Sequence, residues 1–199
     1  MNSDAKAALG RIKGAAIRDF IGWHIATFGA EPLQRAIRTL PESEQAEFDF
    51  SLPCMGVLAS TWMPASTAHH VLDKLLAGTT RKQRDELALA GAEATLQGVM
   101  SGAQRIVFAV MTPSLYVKVA NVAFRLNYDS GKVCNEILGP KRHRGWLESW
   151  KSHHPFLCRM NTNMKAGVYR AMGCEGVVIE ERFCKSDGGS ACGSIIRWQ

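Results

Sequence analysis

A chain of 199 residues that is 46% hydrophobic and 21% charged can build one substantial core or two small ones, and it falls in the ordinary soluble globular class. No apolar run approaches the roughly 20 residues that span a bilayer. A formal charge of +6 is mild at this length and does not by itself imply nucleic acid.

In chain order, Ala15 to Phe28 reads as a helix, with Ile17, Phe20, Ile21, Ile25 and Phe28 near helical period and Gly29 as its stop. Pro32 stands in the first turn of a second helix carrying Leu33, Ala36, Ile37 and Leu40, and Pro41 ends it. Ser43 to Phe50 reads as a short helix or turn. Trp62-Met-Pro64 marks a boundary, after which Ser66 or Thr67 is expected to cap a helix ending at Gly78. Arg81 to Met100 reads as a longer helix, where Gly91 and Gly98 would admit a close neighbour. Ile106 to Met111 is an apolar run that periodicity does not assign, and Pro113 opens a helix through about Phe124.

The texture then changes. Asn127-Tyr-Asp-Ser-Gly131 is turn-rich, and Lys132 to Leu138 and Arg144 to Trp150 alternate as strands. Pro155 to Met172 reads as a helix, Cys174 to Cys184 as a strand, Gly188-Gly189 as a turn and Ala191 to Trp198 as the closing strand. The expected class is α+β, a single domain over 1–199. Its mainly helical part, 1–125, would pack on a small antiparallel sheet from the sheet-rich part, 126–199, with a zinc site at the C-terminal hairpin.

Met1-Asn-Ser-Asp-Ala-Lys lacks the charged-then-apolar order of a secretory signal, so a cytoplasmic chain with thiols is expected. Cys54, Cys134 and Cys174 read as small buried hydrophobes. Cys184 and Cys192 flank a turn in Glu181-Arg-Phe-Cys184-Lys-Ser-Asp-Gly-Gly-Ser-Ala-Cys192, and Cys158 comes from a helix. Three thiolates and one carboxylate suit a closed tetrahedral Zn2+ site. The fourth ligand stays open on spacing alone. Strand alternation puts Glu180 on the side of Cys184, so Glu181 joins only across a bulge or at a strand end, and His154 lies four residues before Cys158 on one helical face.

The spacing Cys158, then 23 residues to Glu181, 3 to Cys184 and 8 to Cys192 resembles the zinc site of the vinyl-4-reductase-like domain, which includes sensor domains of phenol-responsive bacterial activators. The closing Ile195-Ile196-Arg197-Trp198 resembles that family's last hairpin strand. Gly14, Gly29 and Trp62-Met-Pro64 resemble related bacterial single-domain proteins of unknown function, thought to share the nitric-oxide-signalling and Golgi-transport ligand-binding fold. The resemblance implies Glu181 as the fourth ligand, a structural zinc and a small apolar or aromatic ligand held between helices and sheet. Haem-binding relatives of that fold need an axial histidine and Tyr-x-Ser-x-Arg, which Val168-Tyr169-Arg170 does not supply.

The chain holds no GxSxG, HExxH or Walker-type motif, so no enzyme activity is expected. The pairs His69-His70 and His153-His154 point about 100° apart on a helix and read as solvated or capping residues. Pocket candidates are Trp62, Phe108, Met111, Tyr116, Phe124, Trp146 and Tyr169. The expected function is a non-catalytic, zinc-stabilised ligand-binding or signalling domain acting through a protein partner or homodimer, with no membrane partner. Its alternatives are an accessory factor in tetrapyrrole or aromatic-compound metabolism and a nucleic-acid module using the strip Lys141–Lys151.

Overall fold

The computed structural model of the chain describes residues 9–100 and 103–199, with backbone alone at 103–105. The Met1–Lys6 segment read above for a signal lies outside the described residues. Strand β1 (Arg11–Lys13) and a 3-10 turn lead into α1 (Arg18–Phe28), whose Phe20, Ile21 and His24 are buried at helical spacing. Pro32 opens α2 (Glu31–Arg38), which buries Leu33, Ala36 and Ile37, and α3 (Glu42–Gln45) follows.

Strand β2 (Trp62–Pro64) pairs antiparallel with β1. This small sheet has no sequence signal, because three residues a side are too few to show a period. Helix α4 (Ala65–Leu75) starts before the expected Ser66 or Thr67 cap. The Ala65 amide is satisfied instead by the Gly10 carbonyl, at 3.0 Å, and the Ser66 and Thr67 hydroxyls are buried without partners.

Helix α5 (Arg81–Val99) begins with a full capping box between Thr80 and Gln83. Gly91 lies against the Phe20 ring of α1, where an added Cβ would stand 2.6 Å from a ring carbon. The apolar run before Met111 forms α6 (Ala103–Val110), and α7 (Pro113–Arg125) is capped by the Thr112 hydroxyl.

The remaining elements are β3 (Lys132–Gly139), β4 (Arg142–Glu148), α8 (Pro155–Ala171), β5 (Val178–Phe183) and β6 (Cys192–Arg197). They form a four-stranded antiparallel sheet of order β3-β4-β6-β5, so the last strand enters the centre of the sheet. Helix α8 lies between α5 and this sheet. The larger core gathers α1, α2, α4, α5 and the first half of α8; a smaller one joins Ala166, Tyr169, Val177, Ile196 and Trp198. The expected α+β arrangement of helices on a small antiparallel sheet is the one observed. No helix among the described residues is long and apolar enough to cross a membrane.

Candidate functional site

Cys158 projects from the first turn of α8, Cys184 follows β5, and Cys192 starts β6. The entry into the central strand brings the two hairpin cysteines together, with sulfurs 3.2 Å apart and unbonded. His153, two residues before α8, completes the group: its Nε2 lies 3.2 Å from Cys184 Sγ, and the four possible ligand atoms fall within 4.8 Å of one another. The three cysteines are buried. Ser186 Oγ donates to Cys184 Sγ at 3.1 Å, and the Lys185 amide donates to Cys192 Sγ at 3.3 Å.

These contacts divide the protons unevenly. Hydrogen bonds from Cys158, then Cys192, with His153 and Ser186 behind them, hold Cys184 far below an ordinary thiol. The same neighbours, Cys184 and then Cys192, push Cys158 far up. His153 is raised to about 9, chiefly by its hydrogen bond to Cys184. The contacts favour negative charge on Cys184; with the imidazole neutral and the thiols deprotonated, the four side chains are the donor set of a group that could hold a metal ion.

The expected fourth ligand is corrected. Glu181 is exposed on β5 despite the bulge between Ile179 and Glu181 that could have turned it inward. Glu180 is taken up by Arg142 and Arg197, at 2.6 and 2.8 Å. His154 caps α8 through Nδ1, accepting from the Phe156 amide, while its Nε2 faces Asp73. His153, read from sequence as solvated or capping, is the residue the sequence reading missed. Its only signal was its place five residues before Cys158, because it sits in the extended entry to the helix rather than on it.

A cavity of about 250 Å3 lies between α5, α6, α7, α8 and the sheet. Of the seven pocket candidates, Phe108, Tyr116, Phe124 and Trp146 line it. The other three do not. Trp62 sits on the small β1–β2 sheet under the cations of Arg11 and Lys13, at 5.5 and 5.8 Å. Met111 falls in the break between α6 and α7. Tyr169 is fully buried in the smaller core, its hydroxyl 2.8 Å from His143 Nδ1.

Cys158 and Cys192 border this cavity as well as the thiol cluster. Lys165 also lines it; the residue as a whole is half-buried, but its Nζ is covered and has no hydrogen-bond partner. Burial pulls that amine down to about 8. The basic strip is partly occupied from within: Arg142 pairs with Glu180, and Arg144 lies over the rings of Trp146 and Phe183.

No protein-family model matches the chain, and no curated protein matches it. Solved structures do. The unliganded Fe(II) H-NOX protein from K. algicida superposes with a TM-score of 0.68 at 14% identity, covering 94% of this chain and 97% of that one. The H-NOX domain from Shewanella oneidensis in its Fe(II)CO state gives 0.61 at 14%, covering 94% and 99%. A structure solved to probe heme distortion in the H-NOX family gives 0.56 at 12%, covering 94% and 95%. The ligand-binding fold implied by the resemblance is therefore the one found, while these neighbours carry the H-NOX name and not that of the vinyl-4-reductase-like family.

They also overturn zinc as the expected cofactor, since the group these relatives carry is heme. The residues present do not fit a heme in the cavity of this chain. Protein haem iron takes an imidazole, thiolate, phenolate or Met/His set, yet no histidine lines the cavity and the sequence has none between His70 and His143. Burial pushes both lining phenols, Tyr116 and Tyr128, up to about 12, away from phenolate, and the two lining thiols belong to the cluster.

Proposed function

We propose that this chain is a non-catalytic small-molecule-sensing domain whose ligand, apolar or aromatic in body, occupies the cavity between α5–α8 and the sheet. The observation that carries this reading is the cavity itself. It is walled mainly by Leu96, Phe108, Tyr116, Phe124 and Val168, in a fold shared with structural neighbours solved in Fe(II)CO and Fe(II)NO ligation states. A volume of about 250 Å3 exceeds the roughly 150 Å3 engineered apolar cavities that accept benzene, so one or two fused rings fit.

In the same reading, the cluster of Cys158, Cys184, Cys192 and His153, a group that could hold a metal ion, ties the β5–β6 hairpin to α8. Because Cys158 and Cys192 touch both sites, filling the cavity bears on the hairpin, and the altered surface is read by a protein partner or a second copy.

The test is titration with 2-naphthamide followed by calorimetry, alongside Ala120→Trp, which places an indole into the cavity wall where Ala120 is 5% exposed. Saturable binding that Ala120→Trp abolishes supports the reading. Undiminished binding by Ala120→Trp overturns it. Native mass spectrometry of the chain as purified reports any retained small molecule, any metal and the subunit number together.

A further inference from the structure

The register of three neighbouring strands places Asn135 of β3 opposite Gly145 of β4, and Gly145 opposite Ser194 of β6. Directly opposed residues share a face of the sheet, and all three line the cavity. Lys165 of α8 reaches across to this row. Any side chain at position 145 would collide with Lys165 Nζ and crowd Asn135 Oδ1, so the missing Cβ is what makes room for the amine.

The amine is covered, makes no hydrogen bond, and meets no Asp or Glu among the residues that line the cavity. A covered ammonium without an anion is unfavourable, and proteins ordinarily pair such charges. Here the space beside it is not protein but cavity.

We propose that the ligand is an organic acid, its apolar body in the cavity and its carboxylate paired with Lys165 Nζ at the Asn135–Gly145–Ser194 row. The proposal rests on the small-molecule reading above and adds the charge of the ligand to it. The amine supplies the counter-charge. The ring walls supply the apolar contact. A hydrogen bond to a charged group in such a place contributes enough to favour the acid over its neutral isostere by roughly tenfold or more.

The probes are 2-naphthoate and 2-naphthamide, alike in ring and size and different in charge, titrated at pH 7 into the full chain and into Lys165→Met. The expected result is a preference of roughly tenfold or more for naphthoate in the parent chain, lost in Lys165→Met. Equal affinity for both probes in the parent chain, or a naphthoate preference that survives Lys165→Met, overturns the proposal while leaving the cavity a ligand site. Binding of neither probe overturns the small-molecule reading and this one with it.

Discussion

His153 Nε2 stands 3.2 Å from Cys184 Sγ, although the two residues lie 31 positions apart and belong to no common element. The contact joins the entry of α8 to the end of β5, the junction that a shared ion would lock. Co(II) is a suitable reporter, because thiolate ligands give it an intense charge-transfer absorption. The expected outcome is such a band in the parent chain and a loss of at least about a hundredfold in affinity in Cys158→Ser, Cys184→Ser, Cys192→Ser and His153→Ala. Cys54→Ser and Glu181→Ala should keep the band, since Cys54 lies outside the cluster and Glu181 is exposed on β5. A band that persists in His153→Ala but disappears in Glu181→Ala would return the fourth position to the carboxylate.

The covered amine of Lys165 makes stability depend on pH in a definite direction. Its folded value, about 8, lies below the ordinary 10.5, so the unfolded chain binds more protons between those limits. Stability therefore rises as pH goes from about 8 to 10.5, and the penalty is complete below 8. The shift corresponds to about 3 kcal/mol at most. The ionisable group that interacts with the amine is His143, lowered by burial first and by Lys165 second, and so below the window. His153, raised to about 9, titrates inside the window with the opposite sign, its stabilisation being lost as pH rises. Urea unfolding at pH 7.5 and pH 10 should show the parent chain gaining stability relative to Lys165→Met, because the loss from His153 is common to both; an equal change in both would refute it.

Gly91 makes the contact between α1 and α5 specific. Alanine there would face a Phe20 ring carbon at 2.6 Å, and Phe20 is itself held by Phe156, with ring centroids 5.3 Å apart. The ring cannot withdraw without disturbing α8. Gly91→Ala should destabilise by about 1–3 kcal/mol despite the better helix propensity of alanine, measurable as a lower urea midpoint with an unchanged slope.

Much of this architecture was legible in the sequence, for a physical reason. Longer helices and strands repeat their burial often enough to leave a period, so the long helices other than α6, whose apolar run periodicity did not assign, and the four main strands lie close to their expected places. The β1–β2 pair escaped because its six residues are held by a tertiary arrangement, including the bridge of Ile12 to Tyr128. The three cluster cysteines were visible because few other roles place two of them across a hairpin turn. The fourth member was not. Side-chain direction in an irregular segment follows from backbone angles that no residue pattern encodes, and so His153 and His154 exchanged their expected importance. The unpartnered amine of Lys165 was equally hidden, since a lysine on a helix ordinarily extends its charge to water.

Tyr169, expected at the ligand and found in the smaller core, offers the sharpest separation of packing from binding. Its hydroxyl and His143 Nδ1 are 2.8 Å apart, and both residues are fully buried. Burial lowers His143 from its usual value, which keeps the ring neutral at pH 7 and leaves its pairing with the phenol a bond between uncharged groups. Tyr169→Phe keeps the ring contacts with Trp198 and Tyr116, at 5.0 and 5.6 Å, and removes only that bond. It should cost about 1–3 kcal/mol through the stranded imidazole nitrogen. The affinity for 2-naphthamide should stay within about twofold, because Tyr169 does not line the cavity. In His143→Phe with Tyr169→Phe no stranded nitrogen remains, so the double variant should be less destabilised than the sum of the single ones. Additive losses would remove the coupling between the phenol and His143, and a naphthamide affinity that falls with the phenol would place Tyr169 at the ligand after all.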